Sequence, residues 1–207
     1  MVKRETIIGM VLAGGRSSRM GSNNKALIQF GSEMLLKRGL RKLSAQVDTV
    51  FVSSDLSADE LRIGSMKAIS DALPNHQGPL AGILTGLRYA RANHPDTQYL
   101  ATVPCDAPFF PHDLVEKLVA AVGASNQVAI ARSGDRPHPV FALWPTEIAD
   151  PLDSWLAGQN RRGLMAFLDT VENMEVEFPI NDGVDPFFNV NTPEDLERAR
   201  HLEACAS

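Results

Sequence analysis

Cysteine, aromatic residues and long apolar runs are all scarce in this chain. Its 207 residues include two cysteines and 6% aromatic residues. This excludes a disulfide-rich scaffold and predicts a core built mostly from aliphatic side chains. No apolar run reaches the roughly 18 residues that a membrane-spanning helix requires. We therefore expect no membrane partner, and we expect Cys105 and Cys205 to be free thiols in the reducing cytoplasm.

An excess of positive charge is also absent, since the formal net charge is −5. This balance argues against a general nucleic-acid-binding protein. The basic residues are unevenly placed, because residues 1–42 hold nine Lys or Arg against two acidic residues. Several of them fit the solvated face of a helix, but Arg16, Arg19 and Lys25 lie in a glycine-bearing loop. At that place they can gather an anionic ligand.

Apolar strand-like runs alternate with helical patterns along the chain. This order predicts right-handed crossovers, and hence an α/β fold with a doubly wound, mostly parallel sheet and helices on both faces. We expect residues 1–207 to form a single domain of this kind. Predicted strands span 7–12, 49–52, 66–69, 99–103, 128–131, 140–144, 174–178 and 187–190; predicted helices span 33–44, 57–63, 80–92, 113–122, 146–156, 162–169 and a last segment from Pro193.

Open α/β sheets bind ligands at the carboxyl ends of their strands. The first such position carries Leu12-Ala13-Gly14-Gly15-Arg16-Ser17-Ser18-Arg19-Met20-Gly21, closed by Lys25. Glycines let the backbone approach a ligand, successive N–H groups can bind an anion, and the basic residues bring charge to phosphates. Neither G-x-G-x-x-G nor a Walker A sequence is present. The loop therefore predicts a site for an anion or phosphate that belongs to neither of these two types.

This loop resembles that of the nucleotidyltransferase superfamily. Its Gly14-Gly15 pair is similar to the molybdenum cofactor guanylyltransferase (MobA) family, whereas related cytidylyltransferases usually have a second alanine at the position of Gly14. The resemblance extends over nearly the whole chain. It implies a Rossmann-like nucleotidyltransferase fold with an N-terminal part that binds GTP and a C-terminal part that binds molybdopterin. By resemblance, the GTP-binding residues are Leu12, Ala13, Gly14, Gly15, Lys25, Ser53, Asp71, Gly82 and Asp106.

Three further motifs support this resemblance. Asp71 ends a predicted strand before the 78–82 segment, and an aspartate can accept hydrogen bonds from guanine N1–H and its amino group. Asp106 directly follows a buried strand, which suits a Mg²⁺ ligand; the resemblance makes it the metal-binding and catalytic carboxylate, beside catalytic Arg19 and Lys25. Asn189 and Asn191 lie on one side of an extended segment, where the resemblance implies a second metal ligand or a contact with the substrate molybdopterin.

Weaker signals fall on the proposed molybdopterin side. They comprise Arg136 and His138, in a segment that resembles the family, and the Arg161-Arg162 pair, which could equally be a solvated helix start. One departure concerns the second strand, which is followed by Ser53 and Ser54 where close relatives often have asparagine. Nucleoside contacts from that strand are therefore an open question, whereas the reaction class is not affected.

The implied reaction transfers GMP from GTP to the phosphate of molybdopterin with release of pyrophosphate, and it requires Mg²⁺. The implied partners are GTP, molybdopterin, the proteins that make it, and the molybdoenzyme apoproteins or chaperones that receive the product. Two alternatives stay open at this point. One is a cytidylyltransferase or a sugar-phosphate nucleotidyltransferase of the same superfamily, and the other is a non-catalytic carrier of GTP or molybdopterin.

Overall fold

The structure is a computed structural model that describes residues 4–14, 24–70, 78–123, 126–158 and 163–206. The strands are β1 (Ile7–Leu12), β2 (Gln29–Phe30), β3 (Glu33–Met34), β4 (Thr49–Ser53), β5 (Ala68–Ile69), β6 (Tyr99–Pro104), β7 (Val128–Ser133), β8 (Arg136–Pro145) and β9 (Asn173–Glu177). The α-helices are α1 (Leu35–Ser44), α2 (Pro79–Asn93), α3 (Leu114–Val122), α4 (Ala149–Gly158), α5 (Leu164–Leu168) and α6 (Pro193–Ala206). Short 3₁₀ helices span Arg4–Thr6, Lys25–Leu27 and Thr146–Ile148.

Seven strands form one sheet in the order β5-β4-β1-β6-β8-β7-β9. Within the described residues, four of its six neighbouring pairs are parallel, and only the pairs that involve β8 are antiparallel. The predicted α/β, mostly parallel sheet is thereby confirmed. Strand β1 is central and buried throughout, as expected for a strand covered by helices on both faces.

Helices cover both faces of the sheet, so the predicted double winding is confirmed. Helices α1 and α3 pack on one face through aliphatic side chains, while α2, α4 and α5 pack on the other. A third, smaller apolar cluster joins Phe30, Leu35, Val190 and Ala199. The few aromatic side chains are used inside, because Trp144 and most of the phenylalanines are fully buried.

Two predicted elements are wrong. Residues 57–63 form successive turns instead of a helix, because the segment is too short to propagate one and Arg62 has a φ of 54°, which stops it. Residues 187–190 do not form a strand. The Val190 N–H donates to the carbonyl of Asp106, which lies beyond the end of β6, and β6 itself is already paired with β1 and β8 on its two sides. Helix α1 also begins two residues later than predicted, since Glu33 and Met34 pair with β2.

The start of α6 is confirmed. The Thr192 N–H donates to the Asp195 carboxylate at 2.9 Å, and the Asp195 N–H donates to Thr192 Oγ1 at 3.2 Å. This reciprocal pair is a capping box, with Pro193 at the first helical position. None of the helices in the described segments is long and apolar enough to span a membrane.

The contact between β1 and α1 predicts opposite effects for two Gly→Ala substitutions. A Cβ at Gly9 would lie 2.8 Å from Val47 Cγ2 and 2.9 Å from Leu43 Cγ, so Gly9→Ala should lower the free energy of unfolding by about 1–3 kcal/mol. A Cβ at Gly39 in α1 would meet only Val11 Cγ1, at 3.7 Å. Gly39→Ala should raise the free energy of unfolding by up to about 1 kcal/mol through helix propensity. Urea denaturation checks both, and equal effects would contradict the packing.

Candidate active site

The carboxyl ends of the parallel strands meet at one edge of the sheet. Leu12 is paired in register with Ser53 on one side and with Pro104 on the other. Beyond the strands, the Ala13 N–H donates to the Ser53 carbonyl at 2.9 Å, and the Cys105 N–H donates to the Leu12 carbonyl at 3.0 Å. These bonds bring the first loop and the residue after Cys105 side by side.

Three of the predicted site residues are in contact at this edge. Lys25 Nζ donates to Asp106 Oδ2 at 2.8 Å and to Asn191 Oδ1 at 2.5 Å. The Lys25 and Asp106 side chains are 21% and 16% exposed, so the ion pair is shielded from water while remaining reachable. One ammonium group therefore links a carboxylate and an amide from distant parts of the chain.

Local hydrogen bonds fix the two ends of this contact. Asn24 precedes the Lys25–Leu27 turn of 3₁₀ helix, and its Oδ1 accepts from the Ala26 N–H at 3.0 Å. At the other end, the Val190 N–H donates to the Asp106 backbone carbonyl at 2.8 Å. Asn24 is not among the residues predicted from the sequence, although an asparagine just before a short apolar turn is a common capping signal.

Cys105, the neighbour of Asp106, is a buried thiol. Burial raises its pKa well above its usual range, and the Asp106 carboxylate adds to this, while the Lys25 ammonium opposes it weakly. A buried thiol of high pKa stays protonated and unreactive. Cys105 therefore serves packing beneath the site, as its residue type suggested.

Asn189 has a buried side-chain oxygen that no described residue hydrogen-bonds. A buried carbonyl oxygen without a partner is costly in free energy and is often satisfied by a ligand. Within the described residues, no three His, Cys, Asp or Glu side chains form a group that could hold a metal ion.

Of the predicted nucleotide-binding positions that the structure describes, Leu12, Ala13, Lys25, Ser53 and Asp106 lie at this edge. Gly14 is exposed, and no described atom lies within 4 Å of a Cβ built on it. Ser53 is buried and ends β4, while the next hydroxyl, Ser54 Oγ, accepts from the Leu56 N–H at 3.1 Å. Gly82 is buried in the first turn of α2, which Gly78 precedes with a φ of 138° that other residues rarely adopt.

The His138 side chain is buried and not exposed at the protein surface. Ser133 Oγ donates to Asp185 Oδ1 at 2.9 Å and lies 2.7 Å from His138 Nε2. Because the hydroxyl has one proton and gives it to Asp185, Nε2 donates to Ser133. Burial lowers the His138 pKa, against a smaller opposing effect of Asp185. This arrangement joins β7, β8 and the 185–191 segment, and Arg136 is exposed at the start of β8.

Several predicted residues fall outside the described residues. These residues come from the glycine-rich loop beyond Gly14, from the segment between β5 and α2, and from the basic pair before α5. They are Gly15, Arg16, Arg19, Asp71, Arg161 and Arg162.

Comparison with a protein-family model matches residues 9–174 to the MobA-like NTP transferase domain. A molybdenum cofactor guanylyltransferase from Rhizobium rhizogenes (strain K84) is 44% identical, with 90% of this chain and 87% of that protein covered. One from Rhizobium johnstonii is also 44% identical, covering 96% and 94%. The similarity therefore includes the segments that hold Lys25 and Asp106.

Solved structures share the fold. Molybdopterin-guanine dinucleotide biosynthesis protein A from Archaeoglobus fulgidus superposes with a TM-score of 0.75 at 24% identity, covering 96% of this chain and 99% of that one. A 4-diphosphocytidyl-2C-methyl-D-erythritol synthase from Anaerococcus prevotii gives 0.70 at 14% identity, covering 97% of both chains. At these identities the likeness extends to the fold alone.

The burial of Cys105 predicts selective thiol labelling. Cys205 is exposed, whereas Cys105 is buried with a raised pKa. The native protein should therefore react with about one equivalent of a disulfide reagent at pH 8, and the denatured protein with about two. A Cys205→Ser variant serves as the control and should show almost no reaction when native. Rapid labelling of that variant would contradict the buried placement.

Proposed function

Since the chain belongs to the molybdenum cofactor guanylyltransferase family, with a MobA-like NTP transferase domain, we propose that it transfers GMP from GTP to the phosphate of molybdopterin and releases pyrophosphate. The contact of Lys25 with Asp106 and Asn191 carries this proposal. It sets a fixed positive charge and oxygen ligands at the edge where such sheets bind nucleotides. We further propose a cytoplasmic protein, in keeping with its two free cysteines.

The chemistry is an in-line substitution at phosphorus. An oxygen of the molybdopterin phosphate forms a bond to the α-phosphorus of GTP. The bond between that phosphorus and the oxygen bridging it to the β-phosphorus breaks, and pyrophosphate leaves. A phosphate monoester has a second pKa near 6, so the nucleophile is largely dianionic at neutral pH. It needs no general base, and the protein's task is to align two polyanions and offset their charge.

Lys25 is suited to that task, since its ammonium group already lies at the site and is only partly shielded. We assign it to the triphosphate charge, where it would exchange part of its contact with Asp106 and Asn191 for phosphate oxygens. The backbone around Ala13 and Gly14 would cradle the nucleotide, together with Gly15 and catalytic Arg19. Asp71 would accept from guanine, and Ser53 and Gly82 would line the nucleoside.

The residues present fit a magnesium ion. Mg²⁺ prefers one or two carboxylates together with phosphate oxygens and water, rather than an all-protein cage. Asp106 would supply the carboxylate, and the Asn189 oxygen, which no described residue hydrogen-bonds, would add a neutral ligand of the same hard type. We propose that Asp106 holds Mg²⁺, with Asn189 or Asn191 as a further ligand. When bound, the ion would neutralise phosphate charge.

The molybdopterin side is proposed for the C-terminal part of the chain. Asn189 and Asn191 border the edge of the sheet, and Arg136, Arg161 and Arg162 would supply charge for the pterin phosphate. The enclosed His138 would act through the segment that it holds rather than by direct contact. The further partners we propose are the molybdopterin-synthesis proteins and the apoproteins or chaperones that accept the product.

A pyrimidine nucleotide is the nearest rival substrate, because a structure named as a cytidyl synthase shares the fold. Pyrophosphate release measured with GTP, CTP, ATP and UTP in the presence of molybdopterin separates the two. GTP is expected to be the preferred donor. Binding of GTP without any release of pyrophosphate would instead favour a carrier.

Substitution of Asp106 or Lys25 tests the site. Asp106→Ala should abolish turnover, since no other described carboxylate contacts Lys25. Lys25→Ala should raise the KM for GTP and lower kcat without unfolding the protein. Asp113 and Lys117 form a matched but exposed ion pair at 2.9 Å beyond the same loop. Alanine variants of these two should keep wild-type kinetics, and a wild-type rate for Asp106→Ala would remove that residue from the proposed role.

Removal of divalent cations is a separate test. Dialysis against EDTA should abolish pyrophosphate release, and excess Mg²⁺ should restore it, because in the proposed site Asp106 would hold an ion whose coordination phosphate oxygens and water complete. Dialysis against buffer alone is the control for losses in handling. Full activity in EDTA would show that the positive charge of the side chains is sufficient.

A further inference from the structure

Asn191 is tied to Asp195, four residues further along the chain. The Asn191 N–H donates to Asp195 Oδ2 at 2.9 Å, and the Thr192 N–H donates to the same oxygen at 2.9 Å. An ordinary capping box satisfies the N–H of the cap residue, which here is Thr192. The carboxylate of Asp195 therefore does more than cap α6, because it also holds the backbone of the residue whose amide contacts Lys25.

The same short segment is fixed from the opposite side. Val190 is fully buried, and its N–H donates to the Asp106 carbonyl at 2.8 Å. Residues 190 and 191 are thus bonded in succession to the loop that carries Asp106 and to the first turn of α6. With both attachments in place, the Asn191 side chain has little freedom to leave the Lys25 ammonium group.

Helix α6 does not depend on Asp195 for its docking. Ala199 is fully buried in the small apolar cluster, and Glu203 pairs with Arg38 at 2.5 Å. Arg200 Nη2 also donates to the Gln29 carbonyl at 3.1 Å. These contacts lie about two to three turns beyond the cap, so α6 should stay in place when the cap is lost. The bond from Asn191 to Asp195 then has a role separate from helix stability.

We propose that Asp195 is a positioning residue that holds Asn191 in reach of Lys25 and thereby keeps Lys25 and Asp106 aligned for the reaction. It contacts no substrate itself. This inference rests on the proposed function, because turnover is its main readout. Misalignment of reacting groups by about an ångström can cost roughly 100-fold in rate, so loss of the Asp195 carboxylate should affect kcat more than the KM for GTP.

Three variants separate positioning from capping. Asp195→Ala should lower kcat for pyrophosphate release about tenfold or more and leave the KM for GTP within about twofold. Asp195→Glu retains a carboxylate of the length that capping boxes commonly use and should recover kcat to within about threefold of wild type. Thr192→Val removes the Thr192 Oγ1 bond but leaves the carboxylate on Asn191, so kcat should be nearly unchanged.

The chain offers a control in a similar reciprocal pair of hydrogen bonds, which lies at the turns after β4. The Ser57 N–H donates to Glu60 Oε2 at 2.9 Å, and the Glu60 N–H donates to Ser57 Oγ at 3.3 Å. Glu60→Ala removes the same kind of reciprocal hydrogen bonding from a segment with no described contact to Lys25 or Asp106. It should leave kcat unchanged. A similar loss of kcat in Glu60→Ala and Asp195→Ala, or no loss in Asp195→Ala, would overturn the proposal.

Amide hydrogen exchange separates this proposal from the proposed function. In Asp195→Ala the Asn191 N–H should exchange faster than in wild type, whereas in Glu60→Ala it should not change. If wild type releases no pyrophosphate from GTP and molybdopterin, the proposed function fails, and exchange at Asn191 still tests the contact. Unchanged exchange in Asp195→Ala would overturn the positioning role even if the enzyme is active.

Discussion

The Lys25 ammonium group is the point on which the site depends. It lies 2.8 Å from the Asp106 carboxylate and 2.5 Å from the Asn191 amide oxygen. Partial burial makes this charge-assisted contact stronger than it would be in water. Loss of either Lys25 or Asp106 would leave the other charge partly buried and uncompensated. A short 3₁₀ turn, the loop after β6 and the segment before α6 are held together in this way.

The surrounding structure makes that contact possible. Parallel pairing in register aligns the ends of β1, β4 and β6, and backbone bonds past the strand ends extend the alignment into the loops. The small apolar cluster contains Phe30, Val190 and Ala199. Phe30 follows Lys25 shortly in the chain, Val190 directly precedes Asn191, and Ala199 lies in the first turns of α6. Polar contacts at the edge are thus supported by burial of apolar area, which carries most of the stabilisation.

The same arrangement explains why the fold and the nucleotide are separate questions. A site that handles phosphates needs a cation, an oxygen ligand and free backbone N–H groups, and the sheet edge can supply these for any nucleoside triphosphate. Choice of base is left to residues around the nucleoside. Membership of the guanylyltransferase family therefore indicates GTP more strongly than the shape of the sheet does.

The sequence alone determined the elements whose signals are local. Strand β1, helix α2 and the capped start of α6 were predicted nearly to the residue, because apolar runs, Gly-Pro and Thr-Pro starts act within a few residues. It also marked Lys25, Asp106 and Asn191 as candidates. Only the tertiary structure decided that they touch, that 187–190 joins no sheet, and that Asp195 bonds to Asn191. Those outcomes depend on which groups, distant in sequence, still lack hydrogen-bond partners once the sheet has formed. A local sequence pattern does not contain that information.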